Sequence, residues 1–257
     1  MIINHNISAV NTHRNMGLNQ AASSKNMEKL SSGLKINRAA DDAAGLAISE
    51  KMRGQIRGLE QAQRNVQDGI SFAQTAEGAM NEVSSMLTRM KELNVQKANG
   101  TYTSGDKGNI NAELTQLGTQ IDAIMSNTKF NGIAIKGTTS ISIQADDAAF
   151  KIDIKQISTS GFSQLNSATT LSNITNAISK VSTQRGNLGA IQNRLEYTSN
   201  NLGTTVENLT ASESRIRDTD MAKEMVALSK NNILLQASQS MLAQANQAPQ
   251  GVLSLLR

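Results

Sequence analysis

At 257 residues the chain is long enough for one or two ordinary domains, yet it has one Pro, no Trp, no Cys and only 2% aromatic residues, so it is poor in the large rings on which compact enzyme cores lean. Zero Cys excludes disulfides, Cys-ligated zinc and thiol catalysis. The formal charge of +4 is spread over Lys and Arg interleaved with Asp and Glu, which leaves no basic stripe for nucleic acid.

The chain opens on MIINHNISAVNTHRN, in which the first thirteen residues bear no side-chain charge except on His5 and His13 when protonated. This stretch lacks the basic-then-apolar order of a secretory signal peptide. No run in the chain approaches the roughly 20 apolar residues of a membrane span. The expectation is that export, if it occurs, uses another route. SSG (residues 31–33) reads as the end of an N-terminal helix, and LKINRAA (residues 34–40) as a connector.

Two adjacent carboxylates follow, Asp41 and Asp42. A metal site would need more ligands on the same face; Glu50 lies too far along, and no His is near. The pair reads instead as a helix start, accepting free N–H groups and complementing the positive end of the dipole. Its small neighbours Ala39, Ala40, Ala43, Ala44 and Gly45 leave room for another copy to approach closely.

From Met52 the apolar residues recur in steps of three and four: Ile56, Leu59, Val66, Ile70, Ala73, Met80, Val83, Leu87 and Met90. A stripe sustained over about six heptads predicts a long coiled-coil helix over residues 45–98, about 80 Å at 1.5 Å per residue. ANGTYTSGDKG (residues 98–108) reads as a loop. A second helix is expected over 107–127, with Leu114, Leu117, Ile121, Ile124 and Met125 inward. The period then changes to two: Ile141 and Ile143, then Phe150, Ile152 and Ile154, alternate with polar residues, with Asp146-Asp147 at the turn between them.

A third stripe runs from Leu171 through Ile174, Val181, Leu188, Leu195 and Leu202 to Ile216. Two such helices separated by a short helix and a hairpin fold back antiparallel. A last helix is marked by Met221, Met225, Leu228, Leu235 and Leu242, weakened near its end by Pro249 and Gly251. After Lys230 the only charged side chain is Arg257. A solvated helix face is normally charged, so two nearly uncharged amphipathic ends point to segments covered by identical copies, for which like charges would repel. No HExxH motif, P-loop or GxSxG elbow is present, and the expectation is no enzyme and no cofactor.

Three stretches carry a resemblance. LSSGLKINRAADDAAGLAISEKMRGQIRGL (residues 30–59) closely resembles the N-terminal signature of bacterial flagellins, and LGAIQNRLEYTSNNL (188–202) and SQSMLAQANQAPQGVLSLLR (238–257) their C-terminal signature. The body is most similar to flagellins of Gram-positive bacilli. The resemblance implies a mainly α fold: a long antiparallel coiled-coil bundle with a small β-hairpin, the terminal helices pairing as a separate inner domain. The expected division is 1–42 and 214–257 for the inner-tube parts and 43–213 for a rod with its hairpin near 130–158. Only TSGFSQLNSAT (residues 159–169) stands where larger relatives insert variable outer domains, so a thin, smooth filament is expected.

The resemblance further implies an extracellular filament subunit used in swimming, exported by the flagellar type III apparatus without a cleaved signal peptide. Its expected partners are copies of itself, an export chaperone, filament cap and hook-junction proteins, and the flagellin-sensing Toll-like receptor of vertebrates, with neither nucleic acid nor membrane among them. By the same resemblance Arg89, Leu93 and Gln96 match the receptor-recognised stretch, with Glu113 on the adjoining helix; steps of four and three put the first three on one face. Met225, Leu228, Leu235, Leu242, Leu253, Leu255 and Leu256 form the inner-tube and chaperone-binding stripe, and Asn37, Arg38, Asp41 and Asp42 the joint between domains. The other reading is a hook–filament junction protein, or another secreted coiled-coil binding module acting as a monomer.

Overall fold

The computed structural model describes residues 6–255, with side chains described to residue 248. Five helices and four short strands follow in chain order: α1 (Ile7–Ser32), α2 (Ala43–Ala98), α3 (Ser104–Asn127), β1 (Lys129–Phe130), β2 (Ile133–Ala134), β3 (Ser140–Gln144), β4 (Lys151–Lys155), α4 (Leu171–Arg217) and α5 (Met221–Leu255). The chain forms two compact units, Met1–Gly54 with Asn208–Arg257, and Gln55–Glu207. No described helix is long and apolar enough to cross a membrane.

In the second unit the heptad stripe of α2 is the core. Leu59, Val66, Ile70, Met80, Val83, Leu87, Met90 and Leu93 are all buried. From α3 come Ile110, Leu114, Ile121 and Met125, and from α4 Ile174, Val181, Leu188, Leu195 and Leu202. Each such side chain taken fully from water contributes about 1.5–3 kcal/mol. Between the helices polar pairs set the register: Gln192 donates to Glu77 (3.3 Å) and Arg185 pairs with Glu77 (3.6 Å).

Helix α3 starts at Ser104, three residues before the expected 107. The cause is a capping box: Thr103 Oγ1 accepts the Asp106 N–H, and the Asp106 carboxylate accepts the Thr103 N–H. Strands β3 and β4 pair antiparallel with Ile141 opposite Ile154 and Ile143 opposite Ile152; Ile152 and Ile154 are buried. Phe150, expected in that alternation, lies outside β4 and is half-exposed, because the turn around Asp146-Asp147 reaches through it. A second small hairpin, β1–β2, turns on Asn131-Gly132 with φ of 48° and 80°, the left-handed pair that a two-residue primed turn requires. Its Phe130 ring stands edge-on to Phe72 of α2, centroids 6.0 Å apart.

No regular element occupies residues 156–170. This segment is nonetheless fixed: Phe162 and Leu165 are buried, Asn94 and Lys97 donate to the carbonyls of Thr169 and Ser167, and the Gln164 N–H donates to Asp122. A Cβ on Gly118 of α3 would run into the Leu165 carbonyl oxygen; the absent side chain is what lets the segment lie there.

In the first unit α1 begins at Asn6, whose Oδ1 accepts the Ala9 N–H (3.1 Å), and ends at Gly33, whose φ of 72° suits glycine and whose N–H closes on the Lys29 carbonyl. Helix α1 runs antiparallel along α5: Asn6 donates to the Ala245 carbonyl, Asn19 to Ser238, and Ser23 to Asn232. The connector is tied to the α4–α5 junction by an antiparallel bridge, Leu34 opposite Asp218, with the Lys35 N–H on the Arg217 carbonyl and the Thr219 N–H on that of Gly33. Asp220 opens α5 by accepting the Lys223 N–H.

Candidate functional site

The connector is built around Asp41. Its Oδ2 accepts the N–H groups of Asn37 (3.2 Å) and Arg38 (3.1 Å), and its Oδ1 takes Lys25 of α1 at 2.8 Å. The Lys25 ammonium first, then the Arg38 amide, holds the carboxyl at about 2. Asp42 performs the other task, capping α2 through Oδ1 on the Gly45 N–H (2.9 Å) while its carbonyl accepts from Leu46. The expectation that both carboxylates cap α2 is therefore corrected: Asp42 caps the helix, and Asp41 pins the turn before it to α1. Arg38 adds a pair with Glu28 of α1 (2.9 Å), and Asn37 donates to the Leu34 carbonyl. Among the described residues no three His, Asp or Glu side chains converge as a metal site.

Sequence reasoning missed Lys25, Glu50 and Arg217 at this joint. Arg217 donates to Glu50 at 2.8 Å, and Arg53 shares the same oxygen at 3.2 Å; the bond from Arg217 lowers the carboxyl of Glu50. Such contacts join residues far apart in the chain and leave no periodic trace.

The paired α1 and α5 present an uncovered apolar surface. Leu228, Leu235 and Leu242, a seven-residue row, are half-buried and line the same side of α5 as Ser238 and Ala245, which bond α1. Met225 is out of that seam at 52% exposure, beside a second row that the sequence reading did not single out: Val226 at 70%, Ile233 at 66% and Met241 at 62% exposed. Met225, Val226, Ile233 and Leu234 line a shallow cleft of ≈ 470 Å³ with Ser229 and Lys230. On α1, Ile7, Val10 and Leu18 are similarly open. The seam itself uses Asn and Ser rather than ion pairs, which satisfies buried polar groups without desolvating charge. Helix α5 continues through Pro249; the expected stripe residues Leu253, Leu255 and Leu256 fall outside the described side chains.

The third cluster lies on α2 and α3. Arg89 donates through Nε to Glu113 (3.0 Å) and through Nη1 to Glu92 (3.3 Å), and Glu113 before Glu92 raises its already high pKa. Gln96 donates to the Tyr102 hydroxyl (3.2 Å). Arg89, Gln96 and Glu113 are exposed, whereas Leu93 is 1% exposed. The expectation of one open face through Arg89, Leu93 and Gln96 is corrected, since Leu93 continues the core stripe of Leu87 and Met90.

Against known proteins, residues 3–136 match the bacterial flagellin N-terminal helical region and residues 171–256 the bacterial flagellin C-terminal helical region. The chain is 52% identical to a flagellin of Halalkalibacterium halodurans and 50% identical to a flagellin of Bacillus subtilis, in both cases over the whole of each chain. It is 46% identical, again over the whole of both, to a flagellar filament 33 kDa core protein of Treponema phagedenis. Two matched regions at the ends of one chain, joined by full-length relatives, make this chain a member of the bacterial flagellin family.

Proposed function

We propose that this chain is the repeating structural subunit of an extracellular bacterial flagellar filament, polymerising with itself into a helical tube for swimming. The observation that supports it most is the open apolar row of Val226, Ile233 and Met241 on α5, a helix with no charged side chain between Lys230 and Arg257. An open apolar row of this kind marks a surface that another molecule covers, and identical neighbours cover it without bringing like charges together. On this reading residues 1–42 and 214–257 build the inner tube, residues 43–213 the surrounding rod, and the short join at 159–169 leaves the filament surface smooth.

The same row is the docking stripe for an export chaperone before assembly, the chain leaving the cell without a cleaved signal peptide and adding under a cap protein beyond the hook-junction proteins. The monomer presents Arg89, Gln96 and Glu113 to the flagellin-sensing Toll-like receptor, with Leu93 supporting that face from beneath. The test is seeded growth. Purified protein added to filament fragments elongates them, and a helical reconstruction shows no projecting domains; failure to elongate, with the protein folded, rejects the subunit reading.

A further inference from the structure

The chain holds two Asn-Gly dipeptides, Asn99-Gly100 just after α2 and Asn131-Gly132 between β1 and β2. Asn is a thermally labile residue, and a following Gly offers its backbone nitrogen without a Cβ to shield it. The two pairs are held differently. Asn99 and Gly100 are exposed. The Asn99 N–H donates to the Gln96 carbonyl (3.1 Å), docking the residue on the last turn of α2, while its Oδ1 accepts the Thr101 N–H (3.3 Å). That bond folds the side chain over the Gly100 nitrogen in an Asx-type turn. It also aims a donor at the oxygen on which negative charge develops if that nitrogen attacks. Nothing lies within 4 Å of a Cβ placed on Gly100, so the peptide has room to rotate.

Asn131 is constrained. It sits at φ 48° in the hairpin corner, with Phe130 paired to Ile133 and Lys129 to Ala134 on either side. Among the described residues no hydrogen bond engages its side chain. Closing a ring there would require breaking the turn.

We infer that Asn99 is a self-modification site, deamidating through the Gly100 peptide in the native protein. The Gly100 nitrogen attacks Asn99 Cγ; a C–N bond forms, the Cγ–Nδ2 bond breaks, and the amide group leaves as ammonia with the peptide proton. Water then opens the five-membered imide at either carbonyl, giving aspartate or isoaspartate. No electrons are transferred, and water is the only co-reactant. The product places a negative charge at the carbonyl end of α2, where the helix dipole is already negative. Isoaspartate also lengthens the backbone by a methylene, between Gln96 and its partner Tyr102.

The experiment incubates the full chain in mildly alkaline buffer and follows the acid-for-amide mass gain at each Asn by peptide mass spectrometry, with isoaspartate resolved by chromatography. A solvent-exposed donor is worth far less than the roughly 10²–10³-fold of a buried oxyanion hole, and the expected native preference for Asn99 over Asn131 is about tenfold. In denaturant the two rates converge. Gly100→Ala, which the open space accommodates, slows Asn99 and leaves Asn131 unchanged; Thr101→Pro, which removes the donor, slows Asn99 several-fold. Equal native rates, a faster Asn131, or a preference that survives in denaturant overturns the inference.

Discussion

Arg217 and Glu50 meet at 2.8 Å although 167 positions separate them, and the two partners are unequally placed: the Arg217 side chain is 14% exposed and that of Glu50 55%. Removing Glu50 strands a guanidinium that is largely out of water and whose Nε already has no partner. Removing Arg217 leaves an open carboxylate that still has Arg53. An unpaired buried charge costs more than an unpaired exposed one. Glu50→Ala therefore lowers the denaturant midpoint more than Arg217→Met does, and the reverse order in parallel urea titrations would contradict this account of the joint.

The Asp41 contact makes the joint sensitive to acid in a defined window. Its carboxyl falls from 3.8 to about 2 on folding. A folded pKa below the unfolded one contributes stability that is complete above the unfolded value and fades as pH drops through the folded value. Asp41→Asn is thus less stable than the parent at neutral pH, and the gap closes between 3.8 and about 2. Thermal melts across that range measure it, and filaments of the variant are weaker at neutral pH with or without chelator. A gap that persists below the window would show that Asp41 acts through shape rather than charge.

Arg89 and Leu93 separate recognition from packing. Leu93→Ala opens a cavity in the core of the second unit and costs roughly 2–5 kcal/mol, read as a lower unfolding midpoint. Arg89→Ala removes an exposed ion-pair cluster, of a kind that adds little to stability, and leaves the midpoint near the parent's. In receptor-reporter cells at matched monomer concentration, Arg89→Ala signals weakly. Full signalling by this variant would remove Arg89 from the proposed face.

How far these features could be read in advance depends on their range. The core stripe of α2 was legible because one spacing repeats from Leu59 to Met90, and each residue confirms its neighbours. Leu93 shares helical spacing with Arg89 and Gln96 and also lies three residues beyond Met90, so spacing alone does not separate the open face from the core, and burial does. Ser104 and Gly105 have the composition of loop, and the start of α3 three residues before 107 is legible only through the Thr103–Asp106 cap spacing. Lys25 and Arg217 had no local signature at all. On α5 the absence of charge after Lys230 is visible in the sequence, but which row meets α1 and which stays open depends on the axial rotation of two helices, which neither helix encodes by itself.

Gly118 offers a test of the segment over residues 156–170. Alanine is the better helix former by about 1 kcal/mol, so an exposed Gly118→Ala would stabilise α3. Here the added methyl meets the Leu165 carbonyl, a backbone atom flanked by buried Phe162 and Leu165. Overpacking of this kind costs about 1–3 kcal/mol. The variant unfolds at lower denaturant, and hydrogen exchange rises first at Gln164, whose N–H is held by Asp122. A stabilised variant would show that the segment moves aside without cost.

The open row of α5 makes the sharpest claim about assembly. Ile233 and Met241 lie eight residues apart, both more than 60% exposed and with Val226 on one face. An aspartate at either position leaves the isolated chain unstrained, because among the described residues none covers the site. In a polymer the same charge is buried without a partner at every subunit, and the repetition multiplies a cost of several kcal/mol. Ile233→Asp and Met241→Asp thus keep the parent's circular dichroism and unfolding midpoint yet fail to elongate filament seeds, whereas Lys51→Asp, at an exposed charged position of α2, elongates them. Growth of the Ile233→Asp protein at the parental rate would show that this row faces solvent in the filament, and the inner-tube assignment of α5 would fall with it.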